Sequence, residues 1–569
     1  MSVIRTEGFD GLDERVTLQN GISIAGSMRN FRLTAESALE KRPTRTLIHT
    51  DPHNIDGVWK GVIGGSEKTL IAAGGTLYSF DRADDAVTVI GQIGNGSCDF
   101  FKFGGSLYIL NGDKYSRYDG NTVAEVEGYV PCTAVSCSPG GEGTPFEPLN
   151  LLNDARRQLF NGNGSDTVYK LAETDLDDVL YVKIDGEEEL RYAADLTGGT
   201  VTFTNAPASG LDNVEICYTK SGNGRSRITK CRKAMQFGGN SDGRIFLWGN
   251  PDLPDCRFYS DIADGVPCAE YFPVHNFTVI GSSAITCIVQ QYDRQLIFTK
   301  ERAYYSYCEL KDDGNGNVRS SFPVFSLNGE KGCLITSSGC VIDNKPVTLC
   351  GDGLNVWEST GVENEKNAVC ISGALCETMR YAASAAESGA GPKLFDFLCR
   401  RELYFIFGPT AYVYNYGTGR WYTLDGFSCD GFFVYGNEIY FYSGKKLYVY
   451  SDGEGFADSG FSCEWQSVFS NLGRGSGKYD AVNCEADVYI TGPAKLRLEI
   501  GQKNGVGGAS REYEFAFGDE GHRRLSVRPH VKRALPAYVK ITTSGAGSIK
   551  IYGITVTTRK RERSDRNGI

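Results

Sequence analysis

The sequence repeats one pattern, an apolar and aromatic β-hairpin, and this repeat most constrains the fold. The clearest copy runs from Ile439 to Tyr450, with Ser443-Gly444-Lys445 at the turn. Glycine adopts positive φ there at little cost, and aromatic and β-branched residues favour strands. Further copies of the hairpin begin at Leu107, Val347 and Leu403, and weaker copies at Leu77, Ile245 and Leu296.

The spacing of the copies indicates the architecture. The seven anchors are separated by 30, 138, 51, 51, 56 and 36 residues. Removing the 95 residues of 131–225, interpreted below as an insertion, reduces the second step to 43. The mean is then about 45 residues, close to the period of four-stranded propeller blades. A sheet of that size cannot bury both faces alone, so copies must stack. We therefore predict an all-β protein with a β-propeller of about seven blades. Two β-sandwiches with accidental similarity are the alternative.

Shifts in pattern divide the chain into six parts. We interpret residues 1–45 as an extended arm, which could supply a strand that closes the ring. Residues 46–130 and 226–460 hold the blades, and 131–225 hold a linker and an inserted small β-domain. Residues 461–560 alternate strictly between polar and apolar, which predicts a terminal β-sandwich, and 561–569 form a basic tail. The strands predicted outside the blades are 167–171, 179–184, 200–203, 214–218, 495–500, 511–517, 538–541 and 548–552.

Composition excludes several classes of protein. The chain has 70 glycines among 569 residues and 12% aromatic residues, typical of many short strands joined by tight turns. It has no apolar run of about 18 residues and no secretion signal at its start. We therefore expect synthesis in a cytoplasm, and we expect no membrane insertion.

The 18 cysteines are scattered without Cys-x-x-Cys pairs, which indicates that they are small buried hydrophobic residues in a reducing compartment. The net charge of −11 argues against a large surface that grips nucleic acid, and suits a wall past which DNA slides.

No pattern of side chains indicates catalysis. His49 and His53 are four apart, but Pro52 argues against a helix there, and no ligand stands at metal-binding spacing. The acidic groups at 81–85 and 173–178 lack the spacing of a calcium loop. There is no nucleophile elbow and no phosphate loop. Aromatic residues such as Trp248, Tyr259 and Trp421 could stack on sugars, although core packing is the favoured interpretation. We therefore predict no catalytic, cofactor-binding or metal-binding residue, and a protein that is not an enzyme.

Several segments resemble one group of proteins. The segments are Gly11-Leu12-Asp13-Glu14-Arg15, Asn30-Phe31, Leu39-Glu40-Lys41-Arg42-Pro43, 160–167 with 200–207, 237–239, 244–251 and 271–273. The first three resemble the start of phage stabilisation proteins and related virion propellers of tailed phages. The pair 160–167 and 200–207 is similar to a small β-module of phage structural proteins, and the remaining segments resemble the blade that follows that module.

The resemblance implies a virion structural protein. The expected role is a tail nozzle or hub ring, a closed homo-oligomer expected to be hexameric, that docks the portal or adaptor and other tail proteins. Genomic DNA would pass through it without sequence-specific binding, and the family supplies no active site. Two alternatives stay open, a receptor- or glycan-binding tail protein and a propeller glycosidase. An aromatic-lined groove would favour the former, and two carboxylates about 5–10 Å apart in a central pocket the latter.

Overall fold

A computed structural model describes residues 1–6, 8–238, 243–281, 283–312, 318–336, 339–359, 367–389, 391–451, 461–472, 479–503, 508–529 and 536–560. The structure is 57% strand and 5% helix, in many small sheets of which none closes into a barrel, so the prediction of an all-β protein is confirmed. The chain forms two compact units. Unit 1 comprises Met1–Ile55, Glu301–Ala303 and Leu327–Ile569, and unit 2 comprises Asp56–Lys300 and Tyr304–Ser326.

The first 50 residues form short strands that join sheets of unit 1. They are β1 (Ser2–Thr6), β2 (Gly11–Leu12), β3 (Leu18–Gln19), β4 (Ile24–Arg29), β5 (Phe31–Leu33), β6 (Leu39–Lys41) and β7 (Thr46–Thr50). Strands β1, β3, β4, β6 and β7 pair with later parts of the chain, whereas β2 pairs with β4 and β5 pairs with β6.

Two four-stranded antiparallel sheets follow. The first contains β8 (Ile55–Ile63), β9 (Ser66–Ala73), β10 (Thr76–Asp81) and β11 (Ala86–Gln92). The second contains β12 (Asp99–Phe103), β13 (Ser106–Leu110), β14 (Tyr115–Tyr118) and β15 (Val123–Glu125). The hairpin predicted at Leu107 is β13 with β14, and the weaker copy at Leu77 lies in β10.

The predicted insertion contains a six-stranded and a three-stranded sheet that share one core. Its strands are β16 (Cys132–Cys137), β17 (Thr144–Pro145), β18 (Ala155–Gly162), β19 (Val168–Lys170), β20 (Asp178–Ile184), β21 (Glu187–Glu188), β22 (Tyr192–Asp195), β23 (Thr200–Phe203) and β24 (Gly210–Thr219). Phe160, Tyr169, Val182, Phe203 and Ile216 lie in the core. All four strands predicted in this segment are confirmed. The short helix α1 (Ser226–Thr229) follows.

The repeats then resume as two more four-stranded sheets, each with a small hairpin beside it. The first sheet has β25 (Lys233–Phe237), β26 (Arg244–Trp248), β27 (Cys256–Tyr259) and β30 (Phe277–Val279), and its hairpin is β28 (Ile262–Ala263) with β29 (Val266–Pro267). The second has β31 (Ile285–Gln291), β32 (Arg294–Thr299), β33 (Ala303–Tyr307) and β36 (Val324–Asn328), and its hairpin is β34 (Glu309–Asp312) with β35 (Val318–Ser321).

Three further four-stranded groups lie in unit 1. They are β37 (Val341–Ile342) with β38 (Lys345–Cys350), β39 (Gly353–Trp357) and β40 (Ala368–Cys370); then β41 (Lys393–Phe397), β42 (Glu402–Phe407), β43 (Thr410–Asn415) and β44 (Arg420–Asp425); then β45 (Gly431–Tyr435), β46 (Glu438–Ser443) and β47 (Lys446–Ser451). A 3-10 turn at Gly373–Leu375 and helix α2 (Cys376–Glu387) connect the first two groups, and a 3-10 turn at Leu398–Arg400 connects β41 to β42. Strand β7 supplies the fourth strand of the last group by pairing antiparallel with β47. The hairpins predicted at Val347, Leu403 and Ile439 are confirmed.

The C-terminal strands pack as two sheets over one core, and arm strands complete both sheets. The strands are β48 (Cys463–Ser467), β49 (Phe469–Ser470), β50 (Tyr479–Thr491), β51 (Ala494–Gln502), β52 (Ala509–Phe515), β53 (Gly521–Val527), β54 (Ala537–Ser544) and β55 (Ser548–Lys560). Strand β1 pairs with β55, and β4 pairs with both β48 and β44, so one twelve-stranded sheet joins the C-terminal strands to β41–β44. The four strands predicted here from strict alternation correspond to β51, β52, β54 and β55, except that β52 ends at Phe515; β48, β49, β50 and β53 were not predicted.

Candidate functional site

The histidines and acidic clusters considered from the sequence are either exposed to solvent or paired with neighbouring side chains. Buried Asp51 lies 3.6 Å from Nε2 of His49 and 3.7 Å from Nδ1 of His53. His275 and His522 are exposed, and His530 lies outside the described residues. Residues 81–85 are exposed, and Glu173 accepts hydrogen bonds at 2.8 and 2.9 Å from buried Arg156. Among the described residues, no three His, Cys, Asp or Glu side chains converge as metal ligands would.

The aromatic side chains that could have stacked on sugars lie in packed cores. Trp248 and Trp421 are 0% and 2% exposed, and Tyr259 stacks on Phe246 with 5.5 Å between ring centroids. The prediction of core packing is confirmed for these three. All 18 cysteines are free thiols and most are buried. Burial raises the pKa of the Cys217 and Cys256 thiols to about 11, which keeps them protonated and unreactive at neutral pH.

The residues of the first three segments that carry the resemblance lie in unit 1, where they attach the arm. Gly11 has φ +79°, and a Cβ placed on it would lie 2.6 Å from the carbonyl oxygen of Trp421. The Glu14 carboxylate accepts hydrogen bonds from the backbone N–H groups of Glu377 and Thr378 at the start of α2. Glycine is therefore required for close backbone approach, and glutamate satisfies helix N–H groups that have no partner inside the helix.

Asn30 and Arg42 form the centre of this attachment. Asn30 has φ 60°, a conformation that asparagine tolerates, and its amide donates to the carbonyl of Ser462 at 2.9 Å. Its side-chain oxygen accepts from Nε of Arg42 at 2.9 Å and from the backbone N–H of Asp425 at 2.8 Å. One side chain thus connects the arm, β44 and the residues before β48.

Two buried cations contact the ring of Phe461, which lies just before β48. The Arg42 guanidinium stacks at 4.0 Å from its ring centroid and donates to the carbonyls of Pro43 and Asp425. Lys41 lies 4.9 Å from the same ring and donates to the carbonyl oxygens of Gly545 and Gly547. Burial lowers the pKa of Arg42, the direction expected for a cation removed from water. We call Gly11, Glu14, Asn30, Lys41 and Arg42, with the groups that they bind, the arm clasp.

A second polar cluster lies within unit 2, where the insertion meets the hairpin β28–β29. The hydroxyl of Tyr129 lies 3.1 Å from a Glu147 carboxylate oxygen and 3.2 Å from one of Asp264. Arg157 approaches Asp264 at 4.0 Å and Glu215 at 3.6 Å. Burial raises the pKa of the Glu147 carboxyl, although hydrogen bonds from Cys132 and Tyr129 oppose the shift. Because the Tyr129 hydroxyl fills the space between the two carboxylates, this pair does not offer the open gap that a glycosidase needs.

The base of the insertion is held by hydrogen bonds from two side chains. Asn150 donates to the carbonyls of Tyr129 and Glu270, at 2.8 and 2.9 Å. Arg225 donates to the Glu125 carboxylate at 2.8 Å and to the carbonyl of Glu127 at 3.2 Å. The chain entering the insertion and the chain leaving it are therefore fixed together, which gives the insertion a rigid base.

A third cluster contains the carboxyl group with the largest resolved rise in pKa. Tyr416 donates a hydrogen bond to Asp396 at 3.1 Å, and Arg401 pairs with Asp343 at 2.8 Å. Burial, reinforced by the nearby charge of Asp343, raises the pKa of Asp396 to about 6. The group lies on β41.

Two open grooves lie on the described surface, and both are lined mainly by polar side chains. In unit 1 a groove of about 350 Å³ is lined by Lys495, Arg497, Glu499, Glu512, Lys540, Thr542 and Ser544. In unit 2 a groove of about 360 Å³ is lined by Arg117, Asp119, Thr122, Ala124, Glu125, Val126, Glu127 and Glu270. Neither of these linings includes an aromatic ring among the described residues, so they lack the stacking surfaces by which proteins commonly hold sugars.

Sequence reasoning missed the Tyr129, Glu147 and Asp264 cluster. Its members come from three distant segments and form no motif. The arm-clasp residues were noted only through the resemblance, and their contacts carry no signal in the local sequence.

Comparison with known proteins does not identify a family. No protein-family model matches the chain, and no curated protein matches it. No described helix has the length and hydropathy to cross a membrane.

Similar solved structures are distant. PorZ, titled an essential bacterial surface component of the type-IX secretion system of Porphyromonas gingivalis, is 12% identical, with 85% of this chain and 46% of PorZ covered and a TM-score of 0.30. A chain of the mitotic checkpoint complex is 8% identical, with coverage of 72% and 96% and a TM-score of 0.33. TmCBM61, solved with β-1,4-galactotriose, is 14% identical, with coverage of 21% and 70% and a TM-score of 0.15.

Proposed function

We propose that this protein is a phage virion structural protein, a tail nozzle or hub ring that forms part of the DNA exit channel. The observation that carries the proposal is the arm clasp. The residues that resemble the start of phage stabilisation proteins are the same residues that bind the arm to α2, β44 and the C-terminal sheets. These residues attach the arm to distant parts of the chain. Such attachment makes the chain stiffer, and a passive conduit for DNA needs a stiff wall.

The proposed architecture is a β-propeller of about seven blades with an inserted β-domain and a C-terminal β-sandwich. Six described sheets have four strands each, and β41–β44 form a seventh four-stranded group within a larger sheet. The completion of β45–β47 by β7 from the start of the chain supports the proposal, because a propeller ring can be closed by such a strand. The domain boundaries proposed are those at residues 45, 130, 225, 460 and 560.

The proposed role is mechanical and needs no catalysis, metal or cofactor. Six copies would form a closed ring below the portal or adaptor, and the insertion would dock neighbouring tail proteins from its rigid base. The excess of acidic residues, with a net charge of −11, would disfavour tight binding of phosphate and keep DNA mobile. Assembly would take place in the host cytoplasm, and the mature location would be the virion tail.

Imaging of purified virions tests this proposal. The expected result is six copies of the chain in a ring directly beneath the portal, around the DNA path. Three copies at the distal tip would contradict it and favour the adhesin alternative. A second measurement is the mass of the purified protein, where a hexamer is expected and a strict monomer at micromolar concentration would count against a ring.

A further inference from the structure

Strand β11 is a long, uncharged and largely exposed outer strand of a four-stranded sheet in unit 2. Among the described strands it pairs only with β10, and it has seven residues, Ala86–Gln92, none of them charged. Outer strand β31 is equally long and uncharged, but it is mostly buried. The outer strands β15 and β30 have three residues each. Short or charged outer strands prevent unwanted pairing with other chains, so a long uncharged one is open to strand addition.

The open part of β11 is its first half. Residues 86–89 are exposed, with Val87 and Val89 at 42% and 64% exposure. The register with β10 shifts after Val89, so Ile90 has no partner there and the edge is interrupted. The turn that precedes this half carries exposed Asp81, Asp84 and Asp85. A strand added here would meet a short apolar edge beside negative charge.

Strand β53 in unit 1 presents the complementary features. Among the described strands it pairs only with β50, and His522, Arg523 and Arg524 are consecutive exposed residues on it. Arg524 pairs with Asp487 of β50 at 2.9 Å, so the cation available to a second copy is Arg523. Nearer its end, the Tyr513 hydroxyl accepts a hydrogen bond from the N–H of Ser526 at 2.9 Å and donates one to its carbonyl. The end of this edge is therefore occupied, and the part still open to another chain is Gly521–Arg524.

We propose that the β11 edge of one copy pairs antiparallel with the β53 edge of a second copy. An antiparallel arrangement brings Arg523 to the end of β11 that follows the acidic turn. The positive charge of Arg523 disfavours pairing of β53 with itself. The turn before β11, with three aspartates and Arg82, has the opposite net charge, so charge selects this pairing. Because the two edges differ, the contact is heterologous and repeats head to tail, and it generates a ring where the rotation between successive copies closes. This inference rests on the proposed function and names the interface of its ring.

Charge exchange between the two edges tests the interface. Asp84→Arg and Arg523→Glu each place like charges at the contact, and each is expected to weaken self-association of the full chain about tenfold. The double variant restores opposite charges and is expected to return to within about threefold of the unmodified protein. Glu188→Arg reverses an exposed acidic residue on β21 and is the matched control, expected to have no effect.

Two measurements test these expectations. Mass photometry across a dilution series gives the association constant of each variant, and hydrogen exchange reports the amides of 86–89 and 521–524, which are expected to exchange more slowly in the oligomer than in the dissociated chain. An oligomer that forms equally well in all variants, with unchanged exchange at both edges, would overturn the interface and leave the proposed ring standing. A chain that never associates would overturn both the ring and this interface.

Discussion

The carboxylate of Glu14 caps the backbone of Thr378, 364 positions later in the chain. It accepts hydrogen bonds from the backbone N–H of Thr378 at 3.3 Å and from its hydroxyl, and another from the N–H of Glu377 at 3.1 Å. The backbone of Glu14 also donates to the carbonyl of Ala374 at 2.7 Å. Helix α2 therefore begins on a side chain from the arm instead of on a local cap.

We expect Glu14→Ala to loosen α2. The substitution removes the acceptor for two helix N–H groups and the negative charge that favours a helix N-terminus, at a cost of about 1 kcal/mol. Hydrogen exchange of the amides of Cys376–Glu387 is the measurement, and exchange about fivefold faster is expected. Glu188→Ala, on an exposed strand of the insertion, is the control. Unchanged exchange in α2 would show that the cap contributes nothing.

Gly11→Ala should be more costly than Gly65→Ala, although the two glycines have φ +79° and +80°. An added Cβ strains the backbone equally at both positions, by about 1–2 kcal/mol. Only at Gly11 does the Cβ lie 2.6 Å from a backbone oxygen, that of Trp421, whereas nothing lies within 4 Å at Gly65. Thermal unfolding of the two variants measures the difference, and a lower midpoint is expected for Gly11→Ala. Equal midpoints would mean that the arm can move away from β44 at no cost.

Arg42→Lys should destabilise unit 1 even though the charge is kept. Lysine cannot reproduce the hydrogen bonds from Arg42 to Asn30, Pro43 and Asp425 or the planar stacking on Phe461. A loss of about 2–4 kcal/mol is expected, since a buried cation is left with too few partners.

Urea unfolding measures that loss, and hydrogen exchange in β4 and β48 localises it. Arg401→Lys changes an exposed arginine that pairs with exposed Asp343, and a change below about 1 kcal/mol is expected there. If both substitutions had the same small effect, the clasp would not depend on the guanidinium.

The stability of unit 1 should fall as pH rises through the range set by Asp396. Burial favours the neutral carboxyl and raises its pKa from 3.8 to about 6 in the folded chain, so between these values the folded state binds more protons than the unfolded state. The contribution of Asp396 to the free energy of unfolding is therefore fully present below pH 3.8. It is lost as the pH rises from 3.8 through about 6.

Asp396→Asn removes the titrating group while an amide oxygen can still accept the Tyr416 hydrogen bond. Relative to the unmodified protein, the variant should gain thermal stability at pH 7 and show less change between pH 4.5 and pH 7. Glu188→Gln serves as the comparison, because that carboxylate is exposed and lies on a strand of the insertion. An Asp396→Asn variant with the same pH dependence as the parent would refute the assignment.

The local elements could be predicted because their signals lie within a few residues. Alternation in 495–500 and the glycine turn at 443–445 specify strands and a hairpin through side-chain period and backbone freedom. The positions of four strands inside the insertion followed from the same signals, but their order in the sheets did not. By contrast, the small polar cluster of Tyr129, Glu147 and Asp264 has no such pattern, since its members come from separate segments.

The sequence by itself determined that this protein is built from repeated hairpins with an interrupting β-segment, because turn residues and alternation act locally. Only the tertiary structure decided which distant segments pair: β1 with β55, β4 with β44 and β48, and β7 with β47. The physical reason is that a strand edge can pair with any compatible edge. The choice depends on contacts such as those of Asn30 and Arg42, which form only when hundreds of intervening residues have folded.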